Sequence, residues 1–122
     1  MKLSRSVKYA VRATVQLARL EQHTRVPCRM LAESGQMPER FLLHILRALV
    51  SSGILRSTRG VDGGYALNRP PEQISLMDLI EAVEGPVASD ESGILAAPMA
   101  RVNECLKREL AATKLSELAS AR

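Results

Sequence analysis

The chain has 122 residues, a length that fits one compact domain and makes a multidomain enzyme or an internal tandem array unexpected. Apolar residues make up 46% of the sequence and charged residues 25%, which are ordinary values for a globular protein. With three aromatic residues and no Trp, a site that stacks bases or sugars on aromatic rings is disfavoured. No apolar run reaches the roughly 20 residues that span a bilayer, and no apolar stretch follows the basic N-terminus, so a cytosolic protein is expected.

The basic residues are concentrated in the first half of the chain. Residues 1–69 contain 12 Lys and Arg against 4 Asp and Glu, whereas residues 70–122 contain 5 against 9. The first half is therefore the candidate surface for a polyanion such as nucleic acid. A solvated basic face without a partner is the alternative, and charge alone does not decide between the two.

Residues 4–20 predict a first helix, with Ser4 as its N-cap. Its core side has apolar and small residues at helical spacing: Val7, Ala10, Val11, Thr14, Leu17 and Ala18. The opposite side has a basic stripe, which we define as Arg5, Lys8, Arg12, Gln16 and Arg19. Because most of its cations project from one side of the helix, the stripe can meet phosphates, and Lys8 is the predicted phosphate contact.

Two short helices separated by a three-residue turn follow. Pro27 and residues 28–33 predict a second helix that breaks at Gly35, and Pro38 begins a third helix that runs to Ser51. The predicted buried stripe of the third helix has five members: Phe41, Leu42, Ile45, Leu46 and Leu49. Two helices joined by a glycine-containing turn indicate a helix-turn-helix, although helical bundles also contain such turns.

A β-hairpin is predicted directly after this unit. Residues 54–59 and 65–69 have strand-like patterns, with Leu55, Tyr65 and Leu67 expected to point inward. The connection between them, residues 60–64, is rich in glycine and contains an Asp-Gly pair that tolerates positive φ. A helix, a helix-turn-helix and a hairpin in this order predict a winged helix, within a mainly α fold that has one small β-hairpin.

A fourth helix is predicted after Pro70-Pro71. Ser75 and Asp78 have the spacing of a capping box, which marks the start of this helix, and Gly85-Pro86 ends it. Its predicted apolar stripe has four members: Leu76, Leu79, Ile80 and Val83.

Residues 87–97 are predicted to form a mobile linker, after which Pro98 begins a long helix to about Thr113. This helix has a narrow apolar seam at steps of three, four and four: Met99, Val102, Leu106 and Leu110. The seam indicates dimerisation, and folding back onto its own domain is the alternative. The predicted organisation is a winged helix-turn-helix domain over residues 1–86, the linker, and a dimerisation helix with a C-terminal tail over residues 98–122.

Outside its buried stripe, the third helix has four residues that could read base edges: Arg40, Leu43, His44 and Arg47. Steps of four and three place Arg40, His44 and Arg47 on one face. Arg can donate two hydrogen bonds to guanine O6 and N7, His44 can donate or accept, and Leu43 can contact a thymine methyl. A solvated helix face is the alternative, and the helix-turn-helix context favours base reading.

Four residues of the hairpin are also predicted to contact nucleic acid: Arg56, Arg59, Gly63 and Gly64. The glycines let the backbone approach another surface closely, and an Arg beside them suits the negative potential of a minor groove. A plain tight turn is the alternative. The loop is not a phosphate-binding loop, because the Gly-x-x-x-x-Gly-Lys-Ser/Thr pattern is absent.

Nothing in the sequence indicates an enzyme. The two His residues, His23 and His44, are not part of a recognisable Ser/His/Asp triad or zinc-protease motif. The two Cys residues, Cys28 and Cys105, lie far apart and form neither a disulfide framework nor a four-ligand zinc site. No catalytic residue and no metal ligand are therefore predicted, and a thiol redox role for either Cys is an alternative function.

Three motifs carry a resemblance to a known family. Residues 59–67 fit Arg-Gly-x-x-Gly-Gly-Tyr-x-Leu, residues 69–74 fit Arg-Pro-Pro-Glu-x-Ile, and residues 81–86 read Glu-Ala-Val-Glu-Gly-Pro. From Met1 to Pro86, and weakly at residues 114–118, the chain resembles the Rrf family of bacterial winged-helix transcription regulators. The resemblance implies a homodimer on a roughly palindromic operator, with the long C-terminal helix of each protomer packed on the other.

The chain departs from this family in two places. Family members that bind an iron–sulfur cluster carry three Cys in the linker before the long helix, whereas residues 87–104 here contain none. We therefore predict a regulator without a cofactor. The family also often has Glu-Gln where this chain has Leu43-His44, so the operator of a family member cannot be assigned to it.

The sequence thus predicts a sequence-specific regulator of transcription, expected to act as a repressor and to bind double-stranded DNA as a homodimer. A winged-helix module that holds a protein partner and a thiol-based redox sensor are the alternatives. The positive charge of residues 1–69 favours DNA over a protein partner. The sequence does not identify the effector, the operator or the target genes.

Overall fold

A computed structural model describes residues 2–121, so Met1 and Arg122, the two ends of the predicted domains, lie outside the described residues. Within this range the helices are α1 Arg5–Ala18, α2 Cys28–Gly35, α3 Glu39–Ser51, α4 Leu76–Glu84, α5 Ala96–Ala112 and α6 Leu115–Ser120. The antiparallel strands are β1 Leu55–Thr58 and β2 Gly64–Leu67, and short 3₁₀ turns cover Pro71–Gln73 and Gly93–Leu95. The prediction of a mainly α fold with a small β-hairpin is confirmed. None of the described helices is long and apolar enough to cross a membrane.

Both predicted N-caps are present. The Ser4 hydroxyl accepts a hydrogen bond from the Val7 amide at 3.2 Å. At α4, the Ser75 hydroxyl accepts from the Asp78 amide at 3.0 Å, and the Asp78 carboxylate accepts from the Ser75 amide at 2.9 Å. These side chains satisfy amides that the first turn of a helix leaves unpaired, and each cap stabilises its helix by about 1 kcal/mol.

The main core lies between α1 and α3 and extends to α4 and the hairpin. Four residues of the predicted α3 stripe are buried: Leu42, Ile45, Leu46 and Leu49. The fifth prediction was wrong, because Phe41 is 39% exposed. Its ring lies beside the stripe and meets the Tyr9 ring of α1 edge-on, with centroids 5.6 Å apart. On α1, Ala13 is buried, whereas Val11 and Ala18 are only partly buried.

The turn between α2 and α3 differs from the prediction by one residue. Gly35 still belongs to α2, and Gln36 adopts the left-handed conformation, with φ 55°. A Cβ at position 35 would lie 2.5 Å from the Met37 Cε atom and 2.7 Å from the Gln16 Nε2 atom, so a larger residue there would push these two side chains aside. The Met37 amide then donates to the Ala32 carbonyl at 2.9 Å, which closes the turn before α3 begins.

In the hairpin, Leu55 of β1 lies opposite Leu67 of β2. Leu55 is buried as predicted, whereas Tyr65 and Leu67 pack against the core but stay partly exposed. The fully buried residue of β2 is Ala66, which the prediction missed. Tyr65 also exchanges two backbone hydrogen bonds with Val26, at 2.8 and 2.9 Å. The hairpin is therefore tied to the segment that leads into α2.

The segment predicted as a linker is only partly irregular. Residues 86–92 contain neither helix nor strand, and a 3₁₀ turn over Gly93–Leu95 leads into α5. α5 begins at Ala96, two residues before the predicted start. Pro98 fits within its first turn because the N–H that proline lacks has no partner there in any helix. The mobility of this segment stays a prediction.

The apolar seam of α5 is divided between two environments. Leu110 is 7% exposed and packs in a small cluster with Ile80 of the same chain, and Leu106 packs against this cluster. At the other end of the seam, Val102 is 57% exposed and Met99 is partly exposed. Contacts of α5 with its own chain thus cover the C-terminal half of the seam, whereas the N-terminal half stays at least partly exposed to solvent.

The segment after α5 returns to the core, whereas the sequence predicted a C-terminal tail there. Leu115 is 0% exposed, and its amide donates to the Ile74 carbonyl at 2.7 Å. The Arg19 guanidinium donates to the carbonyls of Ala119 and Ala121 at 2.9 and 2.7 Å. Residues 113–121 therefore belong to the core of the winged helix.

Because the Leu115 side chain is fully buried, Leu115→Ala is expected to lower the free energy of unfolding by about 2–5 kcal/mol. Urea unfolding at one fixed protein concentration measures this loss. Val61→Ala, at a fully exposed position of the hairpin tip, is the control and should change stability by less than about 0.5 kcal/mol. If both variants unfolded at the same midpoint, the C-terminal segment would not be part of the core.

Candidate nucleic-acid interface

The exposed side of α3 presents the four residues that the sequence singled out. Arg40, His44 and Arg47 are exposed, and Leu43 beside them is partly buried. Steps of three and four place all of them within about a third of the helix circumference, away from the buried stripe. The structure therefore brings these side chains together on one surface.

A small cluster lies between this helix, the start of α2 and strand β2 of the hairpin. Cys28, the first residue of α2, donates from its Sγ to the Glu39 carbonyl at 3.7 Å. Burial, and then the Glu39 carboxylate, raise the pKa of the Cys28 thiol. Burial and the neighbouring Cys28 also raise the pKa of the Tyr65 hydroxyl, whereas the Arg47 guanidinium acts to lower it. Cys28, Tyr65 and Arg47 are thus neighbours, a grouping that sequence spacing did not reveal.

Three side chains of α1 hold the helix-turn-helix, and we call Tyr9, Arg12 and Gln16 the α1 clamp. The Arg12 guanidinium donates to the Gly35 carbonyl at 2.9 Å, and the Gln16 amide donates to the Leu31 carbonyl at 3.2 Å. Arg12 also lies over the Tyr9 ring, 5.3 Å from its centroid. Since Tyr9 meets the first turn of α3, the clamp contacts both helices of the motif.

The basic stripe of α1 therefore divides into two parts. Arg12, Gln16 and Arg19 donate hydrogen bonds to carbonyls of the same chain. Arg5 and Lys8 are exposed, and their side chains have no hydrogen-bond or ion-pair partner among residues 2–121. The part of the stripe that is open to a phosphate lies at the N-terminal end of the helix.

The two arginines of the hairpin also differ in their surroundings. The Arg56 guanidinium donates to Nδ1 of His23, in the loop between α1 and α2, at 2.8 Å. Arg59 is exposed at the start of the tip and has no side-chain partner in the part of the chain that the structure describes. The next residue, Gly60, has φ 106°, a conformation that favours glycine.

Gly63 and Gly64 are partly buried and face the chain's own backbone. A Cβ on Gly63 would overlap the Thr58 carbonyl oxygen, and a Cβ on Gly64 would lie 2.6 Å from the Val26 carbonyl carbon. Contacts within the protein are therefore sufficient to explain why both positions are glycine.

The possible metal ligands do not converge. Among residues 2–121, no three His, Cys, Asp or Glu side chains form a group that could hold a metal ion. Cys28 lies on α2, and Cys105 is exposed on α5, where the nearest donor to its Sγ is Arg108 at 3.9 Å.

Comparisons with known proteins agree with this geometry. The family model of Rrf2, described as an iron-dependent transcriptional regulator, matches residues 3–121. A putative HTH-type transcriptional regulator of Mycobacterium tuberculosis strain H37Rv is 43% identical over 89 residues, which cover 73% of this chain and 55% of that protein. The chain thus spans about half the length of this relative. The HTH-type transcriptional regulator CymR of Bacillus subtilis is 28% identical over 125 residues, which cover 98% of this chain and 91% of CymR.

Solved structures show the same likeness. The structure of CymR, titled the global cysteine regulator of B. subtilis, superposes with a TM-score of 0.84 at 27% identity and covers 98% of this chain and 97% of that one. T. potens IscR superposes with a TM-score of 0.82 at 25% identity, covering 97% and 85% of the two chains. These proteins are regulators of transcription and not enzymes. The chain belongs to the Rrf2 family, which is described as one of transcriptional regulators, and it has the winged-helix fold of CymR.

Proposed function

We propose that the protein is a sequence-specific, cytoplasmic repressor that binds a roughly palindromic operator as a homodimer. The observation that carries this proposal is the exposed face of α3, where Arg40, His44 and Arg47 lie together. A dimer that occupies both grooves of its operator excludes other proteins from the same DNA, which favours repression.

In this proposal α3 enters the major groove. Arg40 and Arg47 donate to guanine O6 and N7, His44 contacts a neighbouring base edge, and Leu43 contacts a thymine methyl. Arg47 also lies close enough to Tyr65 of β2 for its charge to lower the pKa of that hydroxyl, which places it on the side of α3 that faces the hairpin.

The hairpin acts as the wing, and Arg59 is its minor-groove residue. Its exposed side chain at the tip is free to enter a narrow groove, where negative potential is concentrated. Arg56 is engaged by His23, so it either positions the loop or exchanges that hydrogen bond for a phosphate. Gly63 and Gly64 give the wing its tight shape and, by our proposal, a close backbone approach to DNA.

Lys8 is the proposed phosphate contact of α1, supported by its exposure and its open surroundings. Such a contact positions the protein on the duplex without reading sequence. It also releases counterions, so its contribution depends on salt concentration.

For the dimer, we propose that the N-terminal half of the α5 seam packs against a second copy. Val102 is 57% exposed, and Ile94 and Leu95 just before the helix are 94% and 49% exposed. Together with Met99 they form an apolar surface that water would otherwise cover. Leu106 and Leu110, the other predicted interface residues, support the helix from inside its own chain.

We propose that this regulator works without an iron–sulfur cluster, although its family is described as iron-dependent. A cluster needs several thiolate or imidazole ligands at one place, and the described residues bring no such group together. The two Cys residues lie on different helices, one partly buried and one exposed.

The two alternative functions, a winged helix that binds a protein partner and a thiol redox sensor, have less support. A protein-binding winged helix has no need for exposed cations on α1, α3 and the wing. For a thiol sensor, a lowered thiol pKa would be expected, whereas burial and Glu39 raise the pKa of Cys28.

Base reading predicts different effects for Arg47→Ala and Lys8→Ala. Arg47→Ala should lose about 1–3 kcal/mol of discrimination and relax the preferred sequence at one position of each half-site. Lys8→Ala should weaken binding to the operator and to scrambled DNA by similar factors, and reduce the salt slope by about one unit. The measurement is affinity for both DNAs at several salt concentrations, after selection of the operator from random fragments.

Arg101→Ala, an exposed arginine of α5 outside the proposed DNA surface, is the charge-matched control and should bind both DNAs normally. If Arg47→Ala and Lys8→Ala lost the same factor on both DNAs, α3 would not be reading bases.

The dimer interface predicts that Val102→Asp gives monomers. The substitution would place a charge in an apolar contact, at a cost of several kcal/mol that separation of the helices avoids. Ala100→Asp, on the opposite and exposed side of α5, is the matched control and should remain dimeric. Sedimentation equilibrium distinguishes the two, and an unchanged dimer for Val102→Asp would move the interface elsewhere.

A further inference from the structure

A cavity of about 430 Å³ lies at the base of the hairpin. Its walls are the C-terminal end of α1 with the loop that follows it, residues 17–24, and the end of β2 with the next turn, residues 67–72. The volume falls within the range of about 300–1,000 Å³ that is typical of small-molecule sites. None of the DNA-contacting residues proposed above lines it.

Six of the thirteen residues that line the cavity are apolar, and its unpaired charged side chains are acidic. Six apolar residues contribute: Leu17, Ala18, Leu20, Leu67, Pro70 and Pro71. Arg69, the cationic side chain of the lining, pairs with Asp78 at 3.8 Å. His23 also lines the cavity, and its Nδ1 accepts from Arg56. The apolar part of the lining suits a hydrocarbon body, and the engaged Arg69 leaves little positive charge for an anion.

The two acidic residues of the lining are Glu21 and Glu72, and both are exposed. Neither carboxylate has a hydrogen-bond or ion-pair partner within residues 2–121. The C-terminal end of α1, which is the negative end of the helix dipole, lies at the wall of the same space. All three features favour a cationic ligand.

The loop that walls the cavity is held in an unusual conformation. His23 has φ 70°, which is uncommon outside glycine, and its ring is fixed to β1 through Arg56. Backbone strain of this kind persists only where the surroundings fix it, and it concentrates at ligand sites and switch regions. The same contact connects the cavity wall to the strand that carries the wing.

We propose that this cavity binds a small organic cation, an ammonium group on an apolar body about the size of one aromatic ring. The ammonium lies between the carboxylates of Glu21 and Glu72, and the ring lies on the leucine and proline side chains. The site is separate from the DNA-binding surface, so it stands or falls independently of the proposed function.

The test is a titration of the full-length, ¹⁵N-labelled protein followed by amide chemical shifts. The probe is 2-phenylethylamine, compared with the uncharged 2-phenylethanol and the anionic 3-phenylpropanoate. The amine should produce saturable shifts at residues 17–24 and 67–72, and it should bind about fivefold or more tightly than either analogue. Shifts confined to other residues, or equal affinities for the three compounds, would overturn the proposal.

Glu21→Gln and Glu72→Gln, at exposed positions that should not disturb folding, should each weaken amine binding about two- to fivefold. Glu91→Gln, an exposed carboxylate in the segment before α5, is the control and should leave the affinity unchanged. If neither lining variant weakened binding, or the control weakened it equally, the carboxylates would not form the site.

Discussion

The hydrogen bond from the Arg12 guanidinium to the Gly35 carbonyl, at 2.9 Å, ties α1 to the turn that orients α3. Gln16 makes a second bond of this kind to the Leu31 carbonyl of α2, and the Gln16 and Arg12 side chains occupy the space beside Gly35. The buried stripe of α3 is closely packed and sets most of the orientation of this helix, and the polar contacts of the α1 clamp add fixed geometry at the turn before it. The clamp therefore helps to hold the face of α3 that is proposed to enter a groove.

Because of contacts of this kind, part of the positive charge of the chain is not available to bind phosphates. Residues 1–69 carry a large excess of basic residues, but Arg12, Arg19 and Arg56 donate to groups of the protein itself. A count of Lys and Arg thus overstates the number of phosphates that the protein can neutralise. The cations left open among residues 2–69 lie at and just before the first turns of α1, around the start of α2 at Arg25 and Arg29, on α3 and at the wing tip. Helix α1 thus serves the core, the clamp and the proposed DNA surface at once.

Local patterns were sufficient to predict helices α1 to α5, both caps and the four leucine and isoleucine residues of the α3 stripe, because helical period and capping depend on neighbours within four residues. They failed where the partner is distant in sequence. Phe41 has the spacing of a core residue, but α1 offers it only the edge of Tyr9. The short α6 has little pattern of its own and depends on Ile74 and on Arg19, about a hundred residues away. The cluster of Cys28, Tyr65 and Arg47 forms only when α2, β2 and α3 meet, which the sequence does not encode locally.

Amide hydrogen exchange in the turn between α2 and α3 tests the role of the α1 clamp most directly. Arg12→Met keeps most of the side-chain volume and removes the bond to Gly35, and Lys8→Met removes a charge from the same helix without touching the clamp. The account predicts that the Met37 amide, which bonds to Ala32 at 2.9 Å, loses about two- to tenfold protection in Arg12→Met and keeps it in Lys8→Met. Equal protection of Met37 in the two variants would contradict the claim that α1 holds the turn.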